Sequence, residues 1–593
     1  MLLYNCKYMK NHLGAALSVA SIVVCAHAVP AVAATGADAL FSTIHQQEWR
    51  WRIGERLARA EGERGVSPDL PRVDAATQER RLAYWRGVLK QLDAVRVADL
   101  SPGEQVNYAV YRAQIAALVD AQHFREYEQP VNADSAFWTD VTYSPRRPFK
   151  TAQDYHNFIS QMESLPRHFA EHTANMRAGL ARGFTPPKVT LAGRDATLAS
   201  VAHAKTPQET VFYTPFKDMP ASIPAAEQEQ LRARGVAAIR DSVQPAYAAV
   251  LEFMREEYVP KARTTLAAES MPDGKAYYQS KIVEYTTTEL TAQQIHDIGL
   301  AEMAKIRAEM HETMRQAGFT GDLPAFLHFL RTDPRFYART PEELLMRAAW
   351  IAKKFDAKAD QYFGHLPRRR FAILPVPEDQ APFWTAGRGG PGAYWVNTYN
   401  LPARALYSLP ALTLHESAPG HAFQMPLAQE QKGVPPFRRA YISAYGEGWA
   451  LYCERLGTEM GIYETPYEVF GMLSYQAWRA SRLVVDTGLH AKGWTREQAQ
   501  AYLHDNTALS KHEIETEVDR YISWPGQALS YYLGQMTIME SRRKAEAALG
   551  PKFDLRAFHD TVLQLGSVPL PVLEARIDAF IAEGGKSPYP KDI

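Results

Sequence analysis

Cysteine is nearly missing from this chain, with three in 593 residues: Cys6, Cys25 and Cys453. The first two fall in an N-terminal segment that reads as removable, so a single thiol remains and no internal disulfide can form. A fold without such staples rests on a large core, and this length permits one, as two or three domains or one two-lobed domain. Cys453 itself lies in the apolar run Trp449-Ala450-Leu451-Tyr452-Cys453, where a buried, inert thiol is expected. An excess of charge is missing too. The 66 Lys and Arg residues balance 66 Asp and Glu, so no overall field draws in nucleic acid or anionic membrane, and nucleic acid is set aside as a partner.

The only extended apolar run is at the start, from about Leu13 to Ala28. It is shorter than the roughly 20 residues that a membrane span needs. Lys7 and Lys10 precede it, and Pro30-Ala31-Val32-Ala33-Ala34 follows, which together spell a secretory signal peptide over 1–34 cleaved near Ala33/Ala34. An uncleaved anchor is the alternative. Ile22-Val23-Val24 lacks the small residue expected just before a lipid-bearing Cys25. A periplasmic or secreted protein with no stable membrane association after cleavage is therefore expected. Its net charge moves from 0 to −2 with the loss of Lys7 and Lys10. Internal repeats and low-complexity tracts are absent. The glycine cluster Gly387-Arg388-Gly389-Gly390-Pro391-Gly392 lacks the spacing of either common nucleotide fingerprint and reads as a mobile loop leading into a strand.

What is present is the composition of an ordinary globular protein, 46% hydrophobic and 22% charged, dominated by helical periodicity. Thr291 to Gln316 carries Ile295, Ile298, Met303, Ile306 and Met310 at helical intervals, and Gln228–Tyr258 and Pro341–Phe363 show similar patterns. Strand-like signals are few: Phe371–Val376, and then Ala393–Tyr399, which is β-branched and aromatic and suits a pleated edge. The mature chain divides into a helical part, 35–370, and a part holding the chemistry, 371–593, together forming one two-lobed domain.

That chemistry centres on Leu414-His415-Glu416-Ser417-Ala418-Pro419-Gly420-His421, followed 26 residues after the second histidine by Glu447 in Gly446-Glu447-Gly448-Trp449. Two imidazoles and a carboxylate form the ligand set of a catalytic zinc with one position left for water, and Glu416 stands where a general base for that water belongs. In the usual H-E-x-x-H arrangement the histidines are four apart and share a helix face. Here they are six apart, which on an unbroken helix puts them about 120° and roughly 9 Å apart. Pro419 and Gly420 provide the remedy, since proline removes a helix hydrogen bond and glycine tolerates unusual dihedrals. A distortion at Ala418–Gly420 is expected to bring His421 back toward His415.

Glu447 sits in an otherwise apolar setting, where a bare charge is costly and a cation offsets it. A solvated helix carboxylate is the alternative. Gly446 and Gly448 leave room for close helix approach, and Glu454, on nearly the same face, is expected to orient a ligand histidine. One zinc per chain is the expected cofactor, because structural sites fill all four positions with Cys and His and the mature chain has only Cys453. Manganese or cobalt would suit the same donors.

Four motifs in order, HESAPGHAFQ, AYGEGWALYCERLG, RLVVDTGLHAKGW and EVDRYISWPGQALSYYLGQ, resemble the bacterial domain-of-unknown-function family 885. The likeness covers most of the mature chain and is strongest from about Ala393 to Gln535. It implies a gluzincin-like metallopeptidase: mainly α, with a deep cleft, a small β-sheet next to the zinc-motif helix, and similarity to angiotensin-converting enzyme and the thimet oligopeptidases. Those relatives have H-E-x-G-H, without the two inserted residues. They also carry a tyrosine on a late helix that bonds the developing oxyanion. Tyr531 is matched to it, with Tyr532 as the second choice and Tyr521 as a further candidate, and Arg520 is expected to bind substrate.

Arg482, Asp486 and His490 recur every four residues and form one helical stripe. As structure the stripe is an ion-pair ladder. As function, Asp486 orients His490 toward the oxyanion and Arg482 meets a peptide carboxylate. Tyr394 and Asn397 would hold an extended peptide by strand addition along Tyr394–Thr398. The expected function is hydrolysis of short peptides, with Glu416 as base and Tyr531 or His490 stabilising the oxyanion. An inactive zinc- or peptide-binding protein of the same fold, and an amidase or esterase on non-peptide substrates, are the alternatives.

Overall fold

Proline and glycine set where this helical chain bends, and helices occupy most of the computed structural model, which describes residues 36–60, 65–133, 135–378 and 380–590. The signal-peptide reading, with its cleavage point and Cys25, lies outside these residues. Among them, no helix is long and apolar enough to cross a membrane. The one cysteine they include, Cys453, is buried and free. Burial raises its thiol well above the ordinary range, which fits the inert role expected of it.

Among the described residues, nine helices line the site or pack behind it. In chain order they are α1 (Pro102–His123), α2 (Gly274–Thr286), α3 (Ala292–Gln316), α4 (Leu409–Glu416), α5 (His421–Glu430), α6 (Ser443–Glu459), α7 (Pro466–Ala491), α8 (Lys511–Ser523) and α9 (Ser530–Leu549). The periodic segment starting at Thr291 is α3, with Thr291 as its N-cap: the Thr291 hydroxyl accepts from Gln294 N–H, and Gln294 Oε1 accepts from Thr291 N–H. The 228–258 segment is helical but interrupted, Ala225–Ala238 and Gln244–Phe253 being joined by a π-turn over Ile239–Val243. Pro341–Asp356 and Ala359–Tyr362 make up the third expected helical segment.

Two hydrophobic cores form. The smaller is built from residues 66–262, and the larger runs from Phe41 to Phe580, so it draws on both sides of the 370/371 division. Glycines let the long central helices approach. A Cβ at Gly448 on α6 would lie 2.4 Å from the backbone of Gly534 on α9, so these two helices touch backbone to backbone. Gly299 on α3 similarly admits Leu483 and Val484 of α7.

The sheet has three strands, β1 (Ala372–Pro375), β2 (Gly387–Gly390) and β3 (Ala393–Val396), in the order β1-β3-β2. Two sequence expectations change here. The glycine cluster is not a loop: Gly387–Gly390 is β2, paired antiparallel with β3 through a tight turn at Pro391-Gly392, where Gly392 has φ 92°. And β3 is not an edge, because β1 pairs with it in parallel on its other side. Both its hydrogen-bonding sides are taken, so Tyr394–Thr398 cannot receive a peptide strand. Tyr394 is wholly buried. Asn397 is buried too and donates from Nδ2 to the carbonyls of Ala381, Trp384 and Thr385 at 2.7–2.9 Å, which braces the turn before β2 instead of meeting a substrate.

Candidate metal centre

Helix α4 ends at Glu416 and α5 begins at His421. Between them Ser417 (φ −97°, ψ −119°) and Gly420 (φ −74°, ψ −130°) leave helical geometry, and the Ala418–Pro419 peptide is cis. The chain folds back tightly enough that Gly420 N–H donates to the Leu414 carbonyl at 3.0 Å. A Cβ at position 420 would sit 1.9 Å from the His415 carbonyl oxygen, so only glycine fits. Trp449 of α6 fastens the turn by donating from Nε1 to the Pro419 carbonyl at 2.8 Å.

The result is convergence. The two imidazole centroids lie 4.8 Å apart with their planes at 88°. Glu447, on α6, brings Oε2 to 3.5 Å from His415 Nε2 and 3.3 Å from His421 Nε2. One ligand atom from each of the three lies within 4.8 Å of the others. His415 Nδ1 is 2.8 Å from Glu454 Oε1, a contact that holds the ring with Nε2 turned toward Glu447.

The electrostatics are those of a centre built for a cation. Burial would lower the His415 imidazole, but the facing carboxylates of Glu447 and Glu454 outweigh that and raise it to about 10. Burial would raise Glu447, but the two histidines hold it well below the usual carboxylate range. Glu447 Oε2 is buried and has no hydrogen-bond partner, an exposed lone pair in a closed site. Two imidazoles, a carboxylate and a bare acceptor fit a zinc-type ion with an open fourth position.

Glu416 follows the first histidine, and its Oε2 accepts from the backbone N–H of Gly389 at 2.6 Å. A Cβ at Gly389 would meet the Glu416 backbone at 1.8 Å, so β2 passes directly over this residue. Both belong to the wall of a cavity of about 950 Å³, which also takes in His415, His421, Glu447, Arg479, Arg482, Arg520 and Tyr531. Its far wall comes from α1 and α2, through Asp120 and Glu284 among others, so both halves of the chain enclose it.

Tyr531 lies nearly parallel to the His415 ring at 6.3 Å, and its hydroxyl accepts from Arg520 Nη2 at 3.0 Å. Tyr532 turns away and donates to Glu302 at 3.0 Å. Tyr521 stands behind the wall, accepting from Trp478 and Arg482.

The stripe on α7 does not assemble as a catalytic unit. Arg482 reaches the cavity, but Nη2 is tied to Glu517 at 2.8 Å and Nε to Tyr521 at 2.9 Å. Asp486 does not orient His490; it accepts from the Tyr278 hydroxyl at 2.6 Å and from Gly526 N–H. His490 is fully buried outside the cavity, its Nδ1 accepting from Ala268 N–H at 3.1 Å and its Nε2 donating to the Tyr521 carbonyl at 2.9 Å. With both nitrogens taken and burial lowering it to about 3, it cannot serve an oxyanion.

Sequence reasoning missed Tyr441, whose hydroxyl donates to Glu447 Oε1 at 2.9 Å. It precedes α6 by two residues, and no spacing rule marks it. The Gly389 N–H was hidden for a different reason: its glycines read as a loop.

The chain belongs to the bacterial family DUF885. The family model, described as a bacterial protein of unknown function, matches residues 57–577. Among solved structures, a "putative lipoprotein" from Colwellia psychrerythraea is 28% identical, with TM-score 0.85 over 93% of this chain and 100% of that one. A "putative lipoprotein of unknown function" from Shewanella oneidensis shares the fold at 18% identity, with TM-score 0.64 over 91% of this chain and 99% of that one. No curated protein matches the chain. These descriptions give DUF885 its architecture and leave its chemistry to the site itself.

Proposed function

We propose that this chain is an exported metallopeptidase that hydrolyses short peptides, with zinc held by His415, His421 and Glu447. The observation that carries the reading is the buried, unpartnered Glu447 Oε2 facing two imidazoles next to Glu416 in one cavity. When bound, the zinc supplies positive charge that acidifies a water and polarises the scissile carbonyl. Glu416, held by Gly389 N–H, takes one proton from the attacking water and passes it to the leaving nitrogen. The C–N bond breaks as the water oxygen bonds to the carbonyl carbon, giving one acid and one amine. Tyr531, supported by Arg520, offers its hydroxyl to the developing oxyanion. Tyr441 and Glu454 fix the ligands they bond.

An extended peptide pairs with the outer side of β2, the strand that runs over Glu416, in place of the β3 docking expected from sequence. The enclosing walls favour short peptides. The metallopeptidase relationship rests on the motifs, and the description of the structural neighbours as lipoproteins supports export.

The test is metal content together with turnover of a peptide library. One zinc per chain is expected, with turnover lost on chelation and lowered by about 10²–10⁴ in Glu416→Gln while zinc is retained. Zinc without turnover of peptides would favour a binding protein, and turnover of esters alone an esterase. Full activity in the glutamine variant would defeat the mechanism.

A further inference from the structure

Helix α7 carries a guanidinium in the cavity wall with no hydrogen-bonded partner at two of its three nitrogens. Arg479 is 2% exposed, and its Nε and Nη1 have no hydrogen-bond partner. Two aromatic rings crowd it from one side, Cζ lying 3.8 Å from the ring centre of Trp478 and 4.6 Å from that of Tyr475. Its Nη2 stands 3.6 Å from Glu454 Oε1, too long for a hydrogen bond, and that oxygen already accepts from His415. One turn on, Arg482 also leaves Nη1 unpartnered. Glu517 is shared between Arg482 and Arg520. Arg479, Arg482 and Arg520 thus bring three guanidinium groups to the cavity, and Glu454, the carboxylate nearest Arg479, also serves a ligand histidine.

A buried guanidinium with bare N–H groups is costly unless something meets them. A guanidinium edge, Nη2 with either Nε or Nη1, matches a carboxylate in bidentate fashion, and neither edge of Arg479 is filled by a hydrogen bond. Buried, unpartnered N–H groups of a cation therefore lie beside the cavity. We propose that Arg479 receives the free C-terminal carboxylate of a short peptide, so that the enzyme releases one or two C-terminal residues. The proposal rests on the peptidase reading given above. The length follows from position: Arg479 is separated from His415 only by Glu454, and an extended residue spans about 3.3–3.6 Å. A carboxylate held there leaves room for little chain beyond the cut.

The test uses three forms of one short peptide with the zinc-loaded protein: free acid, C-terminal amide, and an amide ending in glutamate. Turnover is followed by kcat/KM and binding by calorimetry. A charge-assisted bidentate pair predicts a tenfold to hundredfold preference for the free acid, roughly, over both amides. Arg479→Met is expected to bring the free acid down to the rate of its amide. The wild-type comparison stands even if that variant does not fold. Equal turnover of acid and amide would overturn the carboxylate site and leave the peptidase standing. Matching rates for the free acid and the glutamate amide would overturn the C-terminal assignment, and a preference surviving in Arg479→Met would overturn the role of that residue. Acid-selective binding without turnover supports the site and sinks the peptidase, while no binding or turnover of any form defeats both.

Discussion

His415 and His421 are six residues apart in sequence, and their rings end with centroids 4.8 Å from each other. Arg482, Asp486 and His490 are spaced four and four on an unbroken helix, yet they bond Glu517, Tyr278 and Ala268 and do not bond one another. Helical register aligns side chains on a face but also moves each one about 6 Å along the axis for every four residues. A stripe therefore meets whatever packs at each level, while a break between two short helices can fold ligands onto one point. In this protein the interrupted helix holds the candidate centre and the regular one forms structure.

The comparison breaks most sharply at the turn. Gly420→Ala forces a Cβ onto the His415 carbonyl, so His421 must leave its place. Loss of stoichiometric zinc is expected, and of activity with it, read by metal analysis after dialysis. Zinc retained at the wild-type level would show that the close turn does not create the site.

On α7 the expectation is reversed. His490→Ala removes the partners of Ala268 N–H and the Tyr521 carbonyl and opens a cavity, which should cost about 2–4 kcal/mol in denaturant unfolding. At permissive temperature kcat/KM should stay within a few-fold of wild type. A hundredfold loss with the fold intact would return His490 to the chemistry.

A smaller effect concerns pH. Burial raises Asp486 to about 7, outweighing the bonds from Tyr278 and Gly526. The folded state thus keeps a proton that the unfolded chain releases near pH 4, so this group's contribution to stability falls as pH rises from about 4 through 7. Asp486→Asn should remove that part of the pH dependence, seen as a smaller difference in Tm between pH 5 and pH 8. An unchanged difference would mean that Asp486 is charged throughout.

Much of the fold was legible. Thr291–Gln316 announced its own helix by periodicity, and Phe371–Val376 and Ala393–Tyr399 marked the β1 and β3 strands. The glycine-rich β2 was not, because strand propensity reflects side-chain packing and glycine has no side chain to pack. At the site, the two histidines, Glu416 and Glu447 were chosen for donor chemistry, and the proline-glycine pair for its power to break a helix. Tyr441 and Arg479 were invisible, since one lies outside any helical spacing and the other matters for what it lacks. His490 misled because a regular interval says which face a residue takes and nothing of its neighbours.

Sequence by itself determined the helical character, the donor set and the place where the helix had to break, because each follows from local backbone and side-chain chemistry. Only the tertiary structure decided that β3 is central and β2 the edge, that Tyr531 rather than Tyr532 faces the cavity, and that Arg479 has an unfilled edge. Those outcomes depend on which elements pack against which, and contacts between separate elements are written in no local pattern.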